Sequence, residues 1–98
     1  MISIPPKDVR ESLGKHILTD GYGPIVDLEK SHGSWLVDGR YGREYLDLFT
    51  MFASIPVGYN HPKLLEEKDR LATAALNKPT NSDIYTTQLA ECLETFFS

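Results

Sequence analysis

Three histidines, one cysteine and six lysines are the side chains of this sequence that could do chemistry most directly. His16, His32 and His61 are scattered and Cys92 has no partner at ligand spacing, so a metal site is not expected. A Cys–His nucleophile would have to use Cys92, which falls between apolar positions of a helical pattern and reads as a small core residue. Lys7, Lys15, Lys30, Lys63, Lys68 and Lys78 stand among polar or charged neighbours and read as solvated. There is no glycine-rich phosphate loop: Gly21 and Gly23 frame one turn, Gly39 and Gly42 another. What remains is the loop of small residues Thr50, Ala53 and Ser54 ahead of Pro56 and Gly58, while Met51, Phe52 and Ile55 among them read as core. A small-residue loop delivered by rigid strands can place backbone next to a ligand.

The elements that would position this stretch are readable. Trp35-Leu36-Val37 and Tyr45-Leu46-Asp47-Leu48-Phe49 are strand-forming runs, with Asp38-Gly39-Arg40-Tyr41-Gly42 between them as a turn. Along the first run Trp35 and Val37 point one way, Ser34 and Leu36 the other. Upstream, Gly21-Tyr22-Gly23-Pro24 is a turn cluster and Ile25 to Lys30 reads as a strand, giving a three-stranded antiparallel meander. Before it, Pro6 suits the first turn of a helix carrying Val9, Leu13 and Ile17, frayed at Gly14. After Pro62, residues 63–76 are rich in helix formers and make one or two segments, broken at Asn77-Lys78-Pro79-Thr80-Asn81. Ser82-Asp83 offers an N-cap for a last helix with Tyr85, Leu89, Leu93 and Phe96 on one face. The class is α+β: an N-terminal helix, a short meander, then two or three helices.

Composition narrows the function. Ninety-eight residues suit about one small domain, and 41% hydrophobic with 24% charged residues is ordinary for a globular chain. A net charge of −4 argues against nucleic acid, and no apolar run approaches the roughly 20 residues of a membrane span. A single cysteine and no signal-peptide pattern fit a cytoplasmic protein. The sequence stops at Phe96-Phe97-Ser98 inside an apolar helical pattern, which reads as the front end of a longer chain; a freestanding interaction module is the alternative.

From Gly33 to Pro62 the order GSWLVDGRYGREYLDLFTMFASIPVGYNHP resembles the N-terminal segment of class III pyridoxal-phosphate aminotransferases. The run Ala74 to Tyr85, AALNKPTNSDIY, is similar to the lysine 6-aminotransferase branch, with 4-aminobutyrate aminotransferases as near relatives. The resemblance implies a fold-type I enzyme, a homodimer, with three parts here: a helical arm (1–20), a meander of the small domain with an active-site loop (21–62), and a helical segment leading to the large domain (63–98). It implies transfer of the lysine ε-amino group to 2-oxoglutarate, with 4-aminobutyrate as the alternative donor. It places the Schiff-base lysine, and most of the pyridoxal 5'-phosphate site, outside this chain, so no catalytic residue is expected within it. By the same resemblance Phe52, Ala53 and Ser54 lie on the substrate loop, with Phe52 at a substrate-touching position. Tyr22 is expected in the substrate channel, and Asn77, Lys78, Pro79, Asn81 and Ser82 near the dimer interface and the neighbouring active site, where capping is an equal reading.

Overall fold

The hairpin forms where strand-forming runs flank a glycine-containing turn. In the computed structural model, which describes residues 1–80 and 82–98, β1 (Trp35–Val37) pairs antiparallel with β2 (Glu44–Leu46). The register sets Trp35 opposite Leu46, Leu36 opposite Tyr45 and Val37 opposite Glu44. The described residues fall into two units, Met1–Leu65 and Glu66–Ser98.

In the first unit the turn of the hairpin is organised by a buried charge. Asp38 is fully buried, and its carboxylate accepts from the Arg40 guanidinium at 2.8 Å, the Arg40 backbone N–H at 3.0 Å and the Ile25 N–H at 3.3 Å. A carboxylate out of water is tolerated only when its lone pairs are filled in this way. Ser31 is buried too: its hydroxyl donates to the Asp27 carbonyl at 2.7 Å and accepts the Val37 N–H at 2.9 Å. Val37 and Tyr59, each 5% exposed, are the buried hydrophobic residues beside them.

The meander expected over three strands has two, a correction with a local cause. Val26 makes a single bridge to Asp38. Asp27 Oδ1 then accepts the N–H groups of Glu29 and Lys30, both at 3.0 Å, and the Ser31 N–H reaches the Asp27 carbonyl. An aspartate that caps the two following residues offers the backbone a turn in place of a ladder. The same chemistry ends β2 at Leu46, three residues short of Phe49, because Asp47 captures the next free N–H groups.

Five α segments and one 3₁₀ turn complete the described chain. A 3₁₀ turn at Pro6–Asp8 leads into α1 (Val9–Gly14), which stops at its glycine. A short turn, α2 (Thr50–Ala53), follows β2. Helix α3 (Pro62–Glu66) begins on a proline, whose missing N–H costs nothing at that position. In the second unit lie α4 (Lys68–Leu76) and α5 (Thr87–Phe97), joined by an Arg70–Glu91 ion pair at 3.1 Å. Helix α5 starts later than Ser82-Asp83 suggests, because Thr86 Oγ1 accepts the Leu89 N–H at 3.1 Å and is the N-cap. Tyr85 is therefore outside the helix, and Asp83 instead closes a turn onto the Thr80 carbonyl. Cys92, expected in a core, is exposed on α5.

The Arg40 hydrogen bond lowers the Asp38 pKa from 3.8 to about 2, against the opposing push of burial. Because the folded value lies below the unfolded one, the stabilisation is complete above about pH 4 and disappears as pH falls toward 2. Asp38→Asn is expected to lower the urea midpoint at pH 7 and to flatten its dependence between pH 4 and 2. Unfolding curves across that range check both effects; an unchanged slope would remove Asp38 as the acid-sensitive group.

Candidate functional site

The chain leaves β2 through a conformation that L-residues avoid. Thr50, Met51, Phe52 and Ala53 have φ of 51°, 49°, 56° and 63°, so α2 is a left-handed turn built without glycine. The left-handed region costs an L-residue roughly 1–2 kcal/mol, and a run of four persists only where neighbours hold it. The holding groups are local. Asp47 Oδ1 accepts the N–H of Phe49 at 2.9 Å and of Thr50 at 2.8 Å. Thr50 Oγ1 accepts the Ala53 N–H at 3.1 Å, and the Ser54 hydroxyl donates to the Met51 carbonyl at 2.7 Å. Asp47 is itself tied to the start of β1 by its N–H to the Ser34 carbonyl at 2.7 Å. The Thr50 N–H holds the Asp47 carboxyl below the usual carboxylate range, with lesser help from the Tyr59 hydroxyl and the Phe49 N–H. Burial pushes the Tyr59 phenol up, and the charge of Asp47 adds to that.

After the turn the chain returns to where the hairpin began. Gly33 and Tyr59 exchange two backbone hydrogen bonds at 2.9 Å. Gly58, at φ 79°, approaches so closely that a Cβ there would lie 2.7 Å from the Gly33 carbonyl carbon. Asn60, also at positive φ, donates its side-chain amide to the carbonyls of Leu28 at 2.8 Å and Ser31 at 2.6 Å. His61 Nδ1 accepts the Lys63 N–H at 3.2 Å at the start of α3. Each residue of Gly58-Tyr59-Asn60-His61-Pro62 thus has a positional task, and none is placed as an acid or base.

Two features result. The first is a row of aromatic rings: Tyr22 meets Phe49 edge-on at 5.5 Å between centroids, and Phe49 meets Phe52 at 4.7 Å. Phe52 is 88% exposed and Tyr22 77% exposed. The Tyr22 end is secured by Arg10, which donates to the carbonyls of Thr19, Gly21 and Tyr22 at 3.0, 3.3 and 2.9 Å. The second is a cleft of about 260 Å³ bounded by Gly33, Ser34, Asp47, Thr50 and the segment from Ile55 to Gly58.

The fold therefore brings together Tyr22 and Phe52, 30 residues apart in sequence, through Phe49. Ala53 and Ser54 lie on the same turn, with both side chains exposed. Asn77 caps the C-terminus of α4, its amide donating to the Thr73 carbonyl at 3.0 Å. Lys78, Pro79 and Ser82 are exposed, and Asn81 lies outside the described residues. Phe49, Asp47 and Arg10 were not singled out in the sequence. Only Asp47 carried a signal, an aspartate two and three residues before the N–H groups it caps.

A pyridoxal phosphate group needs an amine for its Schiff base, an acid for its ring nitrogen and donors for its phosphate. The six lysines here are all exposed, and the buried carboxylate of Asp38 is saturated by Arg40 and Ile25. The close glycine pair, Gly33 and Gly58, packs against itself. These residues do not compose that group's site. Among the described residues no helix is long and apolar enough to cross a membrane, and no group of three or more His, Cys, Asp or Glu could hold a metal ion.

No family model matches the chain. Curated proteins and solved structures do. The chain is 48% identical over 93 residues to an L-lysine-epsilon aminotransferase of Amycolatopsis lactamdurans, covering 92% of this chain and 21% of that protein. It is 34% identical over 93 residues to a 4-aminobutyrate aminotransferase of Mycosarcoma maydis, covering 93% of this chain and 18% of that protein. Its fold matches a lysine aminotransferase from M. tuberculosis, solved in the internal aldimine form, with a TM-score of 0.83 and 46% identity. That match covers 95% of this chain and 22% of the other. The chain spans about a fifth of the length of these relatives.

The close approach at Gly58 yields a test. Gly58→Ala forces a side chain into the Gly33 backbone at positive φ, and is expected to cost at least about 1–3 kcal/mol. Gly21→Ala, with open space around it, should stay within roughly 0.5 kcal/mol of the parent. Thermal and urea unfolding of both variants would show the contrast; equal midpoints would mean the Gly33–Tyr59 closure does not depend on a glycine.

Proposed function

We propose that this chain, which is similar to the N-terminal segment of the L-lysine ε-aminotransferases in sequence and fold, is the N-terminal part of such an enzyme. The reaction is transfer of the ε-amino group of L-lysine to 2-oxoglutarate by a class III, fold-type I aminotransferase that works as a cytoplasmic homodimer. The observation that carries the reading is the continuity of the likeness: it runs over nearly the whole chain, and it is stronger toward lysine aminotransferases than toward the 4-aminobutyrate aminotransferase. Pyridoxal phosphate, when bound, supplies the electron sink for moving an amino group. It is held mainly by residues outside this chain.

In this reading the chain contributes walls for the amine donor. Phe52 presents an exposed apolar ring at the end of the row begun by Tyr22 and Phe49, suited to lie along the methylene stem of lysine. Ala53 and Ser54 add little bulk, which allows the donor close to the backbone. Residues 1–20 form an arm, 21–62 a part of the small domain with the substrate loop, and 63–98 a helical segment toward the large domain. Asn77, Lys78, Pro79, Asn81 and Ser82 lie near the dimer interface. Trp35, Leu46 and Leu48 in the first unit, and Phe96 and Phe97 in the second, are exposed apolar residues. Such surface normally packs against further protein, which favours the enzyme reading over a freestanding interaction module.

The deciding experiment compares the complete enzyme with residues 1–98 alone in an assay of lysine with 2-oxoglutarate. Turnover by the former and none by the latter is expected. Turnover by residues 1–98, or by the enzyme with 4-aminobutyrate in preference to lysine, would overturn it. In the enzyme, Phe52→Ala should shift donor preference on the order of tenfold, about 1.4 kcal/mol, while the cofactor stays bound. Cofactor loss with unchanged preference would remove Phe52 from the donor pocket.

A further inference from the structure

We propose that Asp47 is a positioning residue for donor selection: its carboxylate holds the left-handed turn Thr50–Ala53 in the conformation that aims Phe52. The proposal rests on the aminotransferase reading above and adds to it a residue that does not itself touch the donor.

The argument starts from strain. Thr50, Met51, Phe52 and Ala53 are neither glycine nor asparagine, so all four pay for a positive φ. A relaxed, right-handed turn would relieve that cost and would redirect the Cα–Cβ bond of each residue. Phe52 does little to resist such a change, because it is 88% exposed and its ring contact is to Phe49. The resistance comes from the acceptors along the turn. Asp47 supplies the first, taking two consecutive N–H groups, Phe49 and Thr50, on one oxygen. Thr50 Oγ1 can receive Ala53 only once Thr50 is in place. Asp47 is in turn fixed from outside the turn, by its N–H to Ser34 at the foot of β1. Asp47 and Thr50 both line the cleft, and the charge of Asp47 adds to the burial that pushes the Tyr59 phenol up. Asp47 therefore joins the foot of β1, through its backbone N–H, to the left-handed turn, through its carboxylate.

The test uses the complete enzyme, with lysine and 4-aminobutyrate as competing donors. Asp47→Ala is expected to raise the KM for lysine on the order of tenfold, with kcat within about twofold and the cofactor retained. Asp47→Asn keeps an acceptor oxygen for both N–H groups and should bring the KM back to within about threefold of the parent. Should Asp47→Ala fail to fold, Asp47→Ala with Thr50→Gly is the companion variant, because glycine removes the penalty at the first left-handed position. That pair should recover folding and part of the lysine preference. A crystal structure of Asp47→Ala should show φ at 50–53 moved out of the left-handed region. The proposal is overturned if Asp47→Ala leaves donor preference unchanged, if Asp47→Asn is as damaging as Asp47→Ala, or if φ at 50–53 is unaltered. A parent enzyme inactive toward both donors would overturn the aminotransferase reading, and the proposal with it.

Discussion

The pair of backbone hydrogen bonds between Gly33 and Tyr59 is the constraint on which the first unit depends. It closes the segment that contains both strands, the left-handed turn and the cleft. Closing such a loop costs entropy, and two hydrogen bonds alone return only about 1–3 kcal/mol. The remainder comes from what the closure makes possible. Tyr59 buries its ring, and Asn60 reaches three carbonyls of the loop before β1. The condition for all of it is negative space: nothing larger than hydrogen can stand on Gly58 beside Gly33.

With Val37 and Tyr59 as its buried hydrophobic residues, the first unit is ordered largely by polar groups that finish one another's hydrogen bonds. Three aspartates divide the work. Asp27 turns the chain before β1, Asp38 fixes the hairpin turn with Arg40, and Asp47 ends β2 and opens the left-handed turn. Each accepts backbone N–H groups that no strand or helix pairs. Because these bonds are geometric rather than area-driven, a short segment can hold a defined loop without a large core of its own.

What the sequence disclosed follows the same division. The hairpin was legible because Trp35-Leu36-Val37 and the run from Glu44 have strand propensity and Asp38 to Gly42 can only turn. The start of α3 was legible because a proline at the first helical position leaves a mark. The missing third strand was not, since Ile25 to Lys30 has strand composition and it is the hydrogen bonds from Glu29 and Lys30 to the Asp27 carboxylate that make a turn there instead. Ser82, Asp83 and Thr86 are all capping residues, and composition does not choose among them. The row Tyr22–Phe49–Phe52 joins residues far apart in the chain, so no local pattern reports it. The left-handed turn was the least visible, since the usual marker of that backbone is a glycine, which Thr50 to Ala53 lack. The resemblance over Gly33 to Pro62 pointed to this loop without saying what shape it takes.

Arg10 grips Thr19, Gly21 and Tyr22 only by their carbonyl oxygens. The groups that steady Phe52 likewise reach the main chain of the turn and never its ring. The ends of the aromatic row are thus mounted by their backbones, and the ring contact of each is its edge-on meeting with Phe49. Such a mounting separates heritable variation in what the surface touches from variation in whether it folds. A lineage could exchange Tyr22 or Phe52 one step at a time and sample new chemistry at those positions without passing through unfolded intermediates.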